Sequence, residues 1–410
     1  MPGWEKTDVP GTTVDRLARW EILSIVLLIL LAFGLRFHEL GRMPLWLDEQ
    51  CQLWVASKST LGEVWETTRL SGPIGRFSYL DSALAWRASP TRSGLRFPGA
   101  LEGIAAVAAI YVAGRYWFSA QAGLFAAALL CVSSLHIRYS REARGYALFT
   151  LLVLVQAIAF TALARRPGII RALGLALLTL LSIGVHPLGA FASLGLALGA
   201  VGALCLDAKP SPEAIWKSAA AWTAGAMIAG GAGVYLICYR VSTVTALSPN
   251  VPANGLLFDI VDVYKALIGG YWGVLSYGVA AVGAVGIWAG FKKAEWRWPL
   301  CQCLGVAAAG AVPVVMGHYY HSWVTPRYSL FAAPFLFLLA GAGIHWLTVK
   351  AKVSRFYNGG FENKLAFVPV ALAPVLAMVL LGGMTLQGRS PYDLEKDKKT
   401  DPAWPVLNKP

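Results

Sequence analysis

The sequence predicts an all-α polytopic membrane protein, with about 11 transmembrane helices and amphipathic surface helices in the first and second outer loops. Three observations carry that prediction. Hydrophobic residues make up 57% of the 410-residue chain and charged residues only 14%, where a soluble domain of this size carries roughly a quarter charged. Apolar runs of span length recur along the chain. The net charge of +13 sits in short loops between those runs, a pattern of membrane topology and anionic lipid contact rather than of nucleic-acid binding.

The apolar runs lie near Trp20–Arg36, Phe97–Phe118, Ala120–Leu135, Tyr146–Ala164, Arg171–Val185, Leu188–Leu206, Ala219–Tyr239, Trp272–Phe291, Pro299–Met316, Leu330–Val349 and Leu365–Met384. A span takes about 20 apolar residues. The richness of several runs in Gly and Ala suits close helix packing in lipid. The first run follows a polar start and has no small-residue cleavage site after it, so it reads as an uncleaved anchor. Residues 1–384 form a single multi-span unit and 385–410 a polar tail. Most of the six cysteines fall within apolar runs, and Cys301-Gln302-Cys303 has no second Cys or His pair at zinc spacing; both read as packing.

Placing the N-terminus inside gives inner loops that hold Arg165, Arg166 and Arg171, then Lys209 and Lys217, then Lys292, Lys293 and Arg297, then Lys350, Lys352, Arg355 and Lys364, as the positive-inside rule expects. The outer side then receives His38–Arg96 and the turns at 136–145, 186–187, 240–271 and 318–326. It also gathers arginines that the same rule would keep inside: Arg138, Arg141 and Arg144 in HIRYSREARGYAL, and Arg327 in SWVTPRYSL. His136, His186, His318 and His321 lie at outer helix ends as well. A site on the outer face accounts for this economically.

The stretch MPLWLDEQCQLWVASK, residues 43–58, organises that site. Pro44 suits a first helical turn. On a helix Leu47, Cys51, Trp54 and Val55 share one stripe, and Asp48, Gln52 and Ser59 the opposite one. The expectation is a helix lying on the membrane, apolar side down, with Asp48 and Glu49 facing water at headgroup depth; the plainer reading is a solvated surface helix. In the second outer loop Arg138, Arg141, Glu142 and Gly145 fall at helical spacing. Arg138 can pair with Glu142, and Arg141 and Arg144 present guanidinium forks that match phosphate oxygens. In VTPRY, Thr325 can cap, Pro326 suits the first position, and Arg327 adds charge where a helix start is already positive. Both arginine clusters also read as basic membrane edges with snorkelling side chains. Glu102, inside the second run, is expected to partner Arg96 or another outer arginine. His318 and His321 stand at i, i+3 without a third ligand, which favours interfacial aromatics over a metal.

A carboxylate at the membrane surface, arginines suited to a lipid phosphate, and aromatics around both serve one reaction. A sugar on a polyprenyl phosphate is displaced by an acceptor hydroxyl or amine, with Asp48 or Glu49 taking the acceptor's proton. Arginine stabilises the charge gathering on the departing phosphate, and one-step displacement inverts the anomeric carbon.

The order of motifs resembles the C-type membrane glycosyltransferases of the protein O-mannosyltransferase kind and their bacterial relatives such as the lipid A aminoarabinose transferase. The pieces are RFHELGRMPLWLDEQCQLWVA, LRFPGALEGIAAVAAIYVAGRYWF, HIRYSREARGYALFTLL, HPLGAF and TPRYSLFAAPFLFLLAGAGI, spanning about Arg36 to Ile344. The resemblance implies a polyprenyl-phosphate-linked sugar donor and inverting transfer without metal or other cofactor. By position, Asp48 matches the catalytic acid and Glu49 its neighbour. Glu142 and Arg144 match the second-loop motif, and Arg327, followed by Tyr328, the later Pro-Arg-Tyr. With Arg138, Arg141 and His186 these make the expected donor-binding set. Lipid, glycan and protein all stand as acceptors; the lack of a soluble C-terminal or inserted domain weighs against protein. The expected location is the plasma membrane, the inner one if the source is bacterial, with the site on its outer face. Two other readings are a lipid or solute transporter, and a non-catalytic partner in polysaccharide assembly. The scarcity of charge within the runs and the absence of an internal repeat speak against the transporter.

Overall fold

A computed structural model describes residues 19–68, 75–206, 231, 255–269, 273–319 and 325–353. The described residues form helices joined by short turns: α1 (Arg19–Phe37), α2 (Leu47–Ala56), α3 (Leu61–Thr67), α4 (Phe77–Ala88), α5 (Arg92–Trp117), α6 (Ala120–Val132), α7 (Ser134–Ser140), α8 (Tyr146–Arg165), α9 (Ile169–Val185), α10 (Gly189–Leu206), α11 (Leu256–Gly269), α12 (Gly273–Lys292), α13 (Ala294–Tyr319), a 3-10 helix (Pro326–Ala332) and α14 (Ala333–Val353). Six of the described helical stretches are long and apolar enough to cross a membrane, or seven if the bent pair α6–α7 counts as one span. The chain is an integral membrane protein of helical, polytopic architecture. The runs expected at Ala219–Tyr239 and Leu365–Met384, and the polar tail, lie outside the described residues.

Helix starts follow ordinary capping. Thr91 accepts from the Gly94 amide at 2.9 Å, Ser119 from Ala122 at 3.1 Å and Thr60 from Glu63 at 3.1 Å, each satisfying one orphan donor of a first turn. Small residues let backbones touch where lipid offers no hydrophobic drive. A Cβ on Gly195 of α10 would stand 2.5 Å from the Gly305 carbonyl oxygen of α13, and one on Gly199 2.5 Å from that of Cys301. Buried Gln156 of α8 donates to Thr179 of α9 at 2.9 Å and to Ser193 of α10 at 2.8 Å, stitching three helices together. Large apolar side chains of α1 such as Leu23, Leu27 and Leu30 remain exposed along its outward face, as a lipid-facing span requires.

The bundle has two chemically different ends. At one end Arg115 meets Glu21 at 3.1 Å and Arg297 donates to the Leu206 carbonyl at 3.3 Å. The other end receives α2, α3 and α4, the break between α6 and α7, the turn after α9 and the 3-10 helix. The third run, expected as one continuous span to Leu135, is instead broken at Ser133 by a 64° bend. Arg36, fully buried, seals the break. Its guanidinium donates to the carbonyls of Leu130 at 3.4 Å and Cys131 at 3.2 Å, and stands 2.9 Å from His136 Nδ1. A guanidinium has only donors, so His136 accepts through Nδ1 and carries its proton on Nε2. His136 is thus a structural group beneath the loop and does not belong to the site.

Candidate active site

Residues from five separate segments converge at the second end. Asp48 and Glu49 occupy the first turn of α2, where negative charge is favoured by the helix dipole. Their side chains diverge. Asp48 Oδ2 stands 3.1 Å from Arg327 Nη1 and 3.7 Å from Arg144 Nη2, with a quarter of its side chain exposed. Arg144 also donates to the Asp48 backbone carbonyl at 3.4 Å. Arg327 is wedged between aromatic faces, its guanidinium carbon 5.6 Å from the Trp46 ring centre and 5.0 Å from that of Tyr328, and it donates to the Tyr328 hydroxyl at 3.2 Å. The Nε atoms of Arg144 and Arg327 are buried and make no hydrogen bond.

Glu49 goes the other way and is wholly buried. It accepts from Arg96 Nε at 2.7 Å, from Arg96 Nη2 at 2.6 Å and from the Ala143 amide at 2.8 Å. Arg96 also donates to the carbonyls of Leu40, Met43 and Pro44 at 3.0, 2.9 and 3.1 Å. One buried ion pair thereby ties the entry to α2, the start of α5 and the second outer loop together. The expectation of a water-facing Glu49 is corrected: the side chain has no exposure and both of its oxygens already accept hydrogen bonds. The stripe assignment holds for Leu47, Cys51 and Trp54, which share one face, and changes for Gln52 and Val55. Gln52 is buried, donating to the Ser78 carbonyl at 2.7 Å and Ser82 at 3.0 Å, whereas Leu47, Cys51 and Trp54 form the uncovered face of α2. Val55, expected on that stripe, is buried.

The second outer loop is not one helix. α7 ends at Ser140, and residues 141–145 turn back, with the Arg144 amide donating to the Glu142 carbonyl at 2.8 Å. Arg138 and Glu142 pair at 3.5 Å. Arg141 donates to the carbonyls of His38 and Glu39 at 2.7 and 3.4 Å, tethering the loop to the end of α1. Of the three loop arginines, only Arg144 faces Asp48. The loop lies on a bare patch of α5: a Cβ on Gly99 would stand 3.0 Å from the Glu142 carbonyl, and one on Gly103 2.6 Å from Ser140 Cβ and 2.8 Å from Arg36 Nε.

Aromatic rings floor the site. His186, at the end of α9, stacks on Phe149 with ring centres 5.3 Å apart and stands 5.7 Å from Tyr146 and 6.3 Å from Tyr328. Its Nδ1 accepts from the Leu188 amide at 3.3 Å, which leaves the proton on Nε2. Burial, then the nearby Arg144 and Arg327, push its pKa down to about 3, so the ring is neutral at physiological pH. The sign of the stability effect follows. Above pH 6.5 both folded and unfolded forms are neutral; as pH falls from there toward 3 only the unfolded form takes the proton, and the folded state loses ground. The expected result is that wild type loses more thermal stability than His186→Gln between pH 7.5 and 5, followed by intrinsic fluorescence in detergent. An equal loss in both proteins contradicts a neutral, buried ring.

Other expectations resolve away from the site. Glu102 does not partner Arg96; it lies against Asp81 of α4, and burial holds the Asp81 carboxyl above the usual carboxylate range. Thr325 stands at the cap position before the 3-10 helix, but its hydroxyl makes no capping bond. His318 meets Asp259 of α11 at 3.0 Å, and His321 lies outside the described residues. Among the described residues no three His, Cys, Asp or Glu side chains gather as a metal-binding set. Arg96, Tyr146 and Arg36 were not singled out from sequence as working residues. For the two arginines the signal available was a position at or near a span end, which any membrane-edge arginine gives, and for Tyr146 none beyond an aromatic at a helix start.

No family model matches the chain and no curated protein does. Solved structures do. ArnT from Cupriavidus metallidurans in the apo state superposes with a TM-score of 0.56 at 13% identity, over 92% of this chain and 72% of that one. The same protein bound to undecaprenyl phosphate gives 0.53 at 13% identity, over 86% and 63%. The oligosaccharyltransferase of Archaeoglobus fulgidus in the apo form gives 0.56 at 10% identity, over 92% and 59%. The chain thus spans about three fifths to three quarters of these proteins' own lengths. The likeness agrees with the resemblance carried by the five sequence motifs: this chain has the fold of the C-type membrane glycosyltransferases.

Proposed function

We propose that the protein is an inverting glycosyltransferase that moves a sugar from a polyprenyl-phosphate-linked donor to a lipid, glycan or protein acceptor at the outer face of the membrane. One observation carries the reading: a partly open carboxylate, Asp48, shares a pocket with two guanidiniums, Arg144 and Arg327, at the end of a bundle with this fold. The fold neighbour ArnT binds undecaprenyl phosphate, and the archaeal oligosaccharyltransferase has been captured with a dolichol-phosphate and an inhibitory peptide.

Each part has a role. Arg327 and Arg144 take the phosphate and hold the negative charge that grows on it as the sugar leaves. Trp46, Tyr328, Tyr146 and His186 wall the pocket; the Nε2–H of His186 supplies a neutral donor to sugar or phosphate oxygen. Asp48 accepts the acceptor's proton. Glu49, Arg96, Arg138, Arg141 and Glu142 hold the two outer loops in place. The positive-inside rule supports an outer location for this end, since the basic connections of the sequence, such as that at Arg165, Arg166 and Arg171, alternate with the segments that carry the site.

The deciding experiment uses purified protein in vesicles loaded with a lipid-linked sugar. Release of free polyprenyl phosphate in the presence of an acceptor extract supports transfer. Movement of the intact lipid-linked sugar between leaflets, without cleavage, supports the transporter reading instead.

A further inference from the structure

The Asp48 carboxylate is the anion that Arg327 and Arg144 share in this structure. Its Oδ2 takes the Nη1 of Arg327 at 3.1 Å and lies 3.7 Å from the Nη2 of Arg144. Those are the two cations of the pocket, and each keeps a buried Nε with no hydrogen bond. With its Oδ2 held between two guanidiniums, the carboxylate is turned toward cations and not toward an incoming acceptor. The surroundings permit the side chain alone to leave. Arg144 keeps its bond to the Asp48 backbone carbonyl, and Glu49 locks the first turn of α2 through Arg96 and the Ala143 amide. Those backbone and Glu49 contacts do not involve the Asp48 carboxylate, whose side chain keeps one quarter of its surface exposed.

We infer that Asp48 is a built-in stand-in for the donor's phosphate, displaced from Arg327 and Arg144 when the donor binds and released as a base only then. The inference rests on the proposed phosphate role of the two arginines and adds an order of events. Donor binds first. Its phosphate takes the guanidiniums, and Asp48 turns to the acceptor. The acceptor O–H or N–H bond then breaks with the proton passing to Asp48. The acceptor atom bonds to the anomeric carbon, and the carbon–oxygen bond to phosphate breaks with its electron pair going to the phosphate oxygen held by arginine. Without donor the base is masked, so the empty enzyme does not activate acceptors or water.

The test is binding of undecaprenyl phosphate to the full chain in detergent, with undecaprenol as the uncharged control. Asp48→Asn and Asp48→Ala remove the competing carboxylate while abolishing its proton chemistry. Both are expected to bind undecaprenyl phosphate about tenfold tighter than wild type, with undecaprenol unchanged. Glu39→Gln, which removes an exposed acid at the same end, is expected to bind like wild type. Unchanged or weaker binding in both Asp48 variants overturns the inference while leaving the phosphate site intact. Equal tightening in Glu39→Gln overturns it as well, because net charge would then be the cause. Wild type that binds undecaprenyl phosphate no better than undecaprenol defeats the phosphate site itself, and the proposed function with it.

Discussion

Asp48→Asn is expected to leave the protein folded in the membrane and to lower sugar transfer by about 10²–10⁴-fold, the usual worth of a general base. The isosteric amide keeps the shape of the pocket but cannot take the acceptor's proton. Some thermal stability is expected to go with the charge, because the largely buried Arg144 and Arg327 lose their counter-charge, but the amide oxygen can still accept from Arg327 and the backbone contacts of α2 stay in place. The measurement is release of polyprenyl phosphate from a lipid-linked sugar, beside a melting curve of the same preparation. Near-normal transfer by Asp48→Asn removes Asp48 from the chemistry.

Arg96→Met is expected to act in the opposite manner, through folding. It strands the Glu49 carboxylate, which has no exposure, and strips the carbonyls of Leu40, Met43 and Pro44 of their donor. Breaking one side of a buried pair costs roughly 3–5 kcal/mol, large against a total stability of about 5–15 kcal/mol. The variant should melt well below wild type or fail to accumulate in the membrane. Replacing both partners, Glu49→Leu with Arg96→Met, removes the uncompensated charge and is expected to recover part of that loss. If Arg96→Met melts like wild type, the pair does not hold the loops. The two experiments separate the adjacent acids: one fails in chemistry with its fold intact, the other in fold.

Sequence alone reached the convergence of Asp48, Arg144 and Arg327, since each stands at the end of an apolar run and alternation of spans puts all three ends on one side. It did not tell Asp48 from Glu49. Neighbours on a helix point about 100° apart, and which direction is inward is set by α4, α5 and the second outer loop, all distant in sequence. For the same reason the helical period alone put Gln52 on the water-facing stripe and Val55 on the membrane-facing one. Partners at Ser78 and Ser82 draw the polar Gln52 inward instead. The break at Ser133 escaped because hydropathy runs through it unchanged; the arginine that makes it tolerable, Arg36, lies about a hundred residues earlier.

The bare patch of α5 beneath the second loop has a consequence for genetics. A methyl group at Gly99 or Gly103 would press on the Glu142 carbonyl or on Ser140 and Arg36, lifting the arch that carries Arg144. A loss-of-function screen should therefore return these two glycines alongside the acid and the arginines. Their phenotype would mimic that of catalytic groups, although neither glycine comes near a reacting atom.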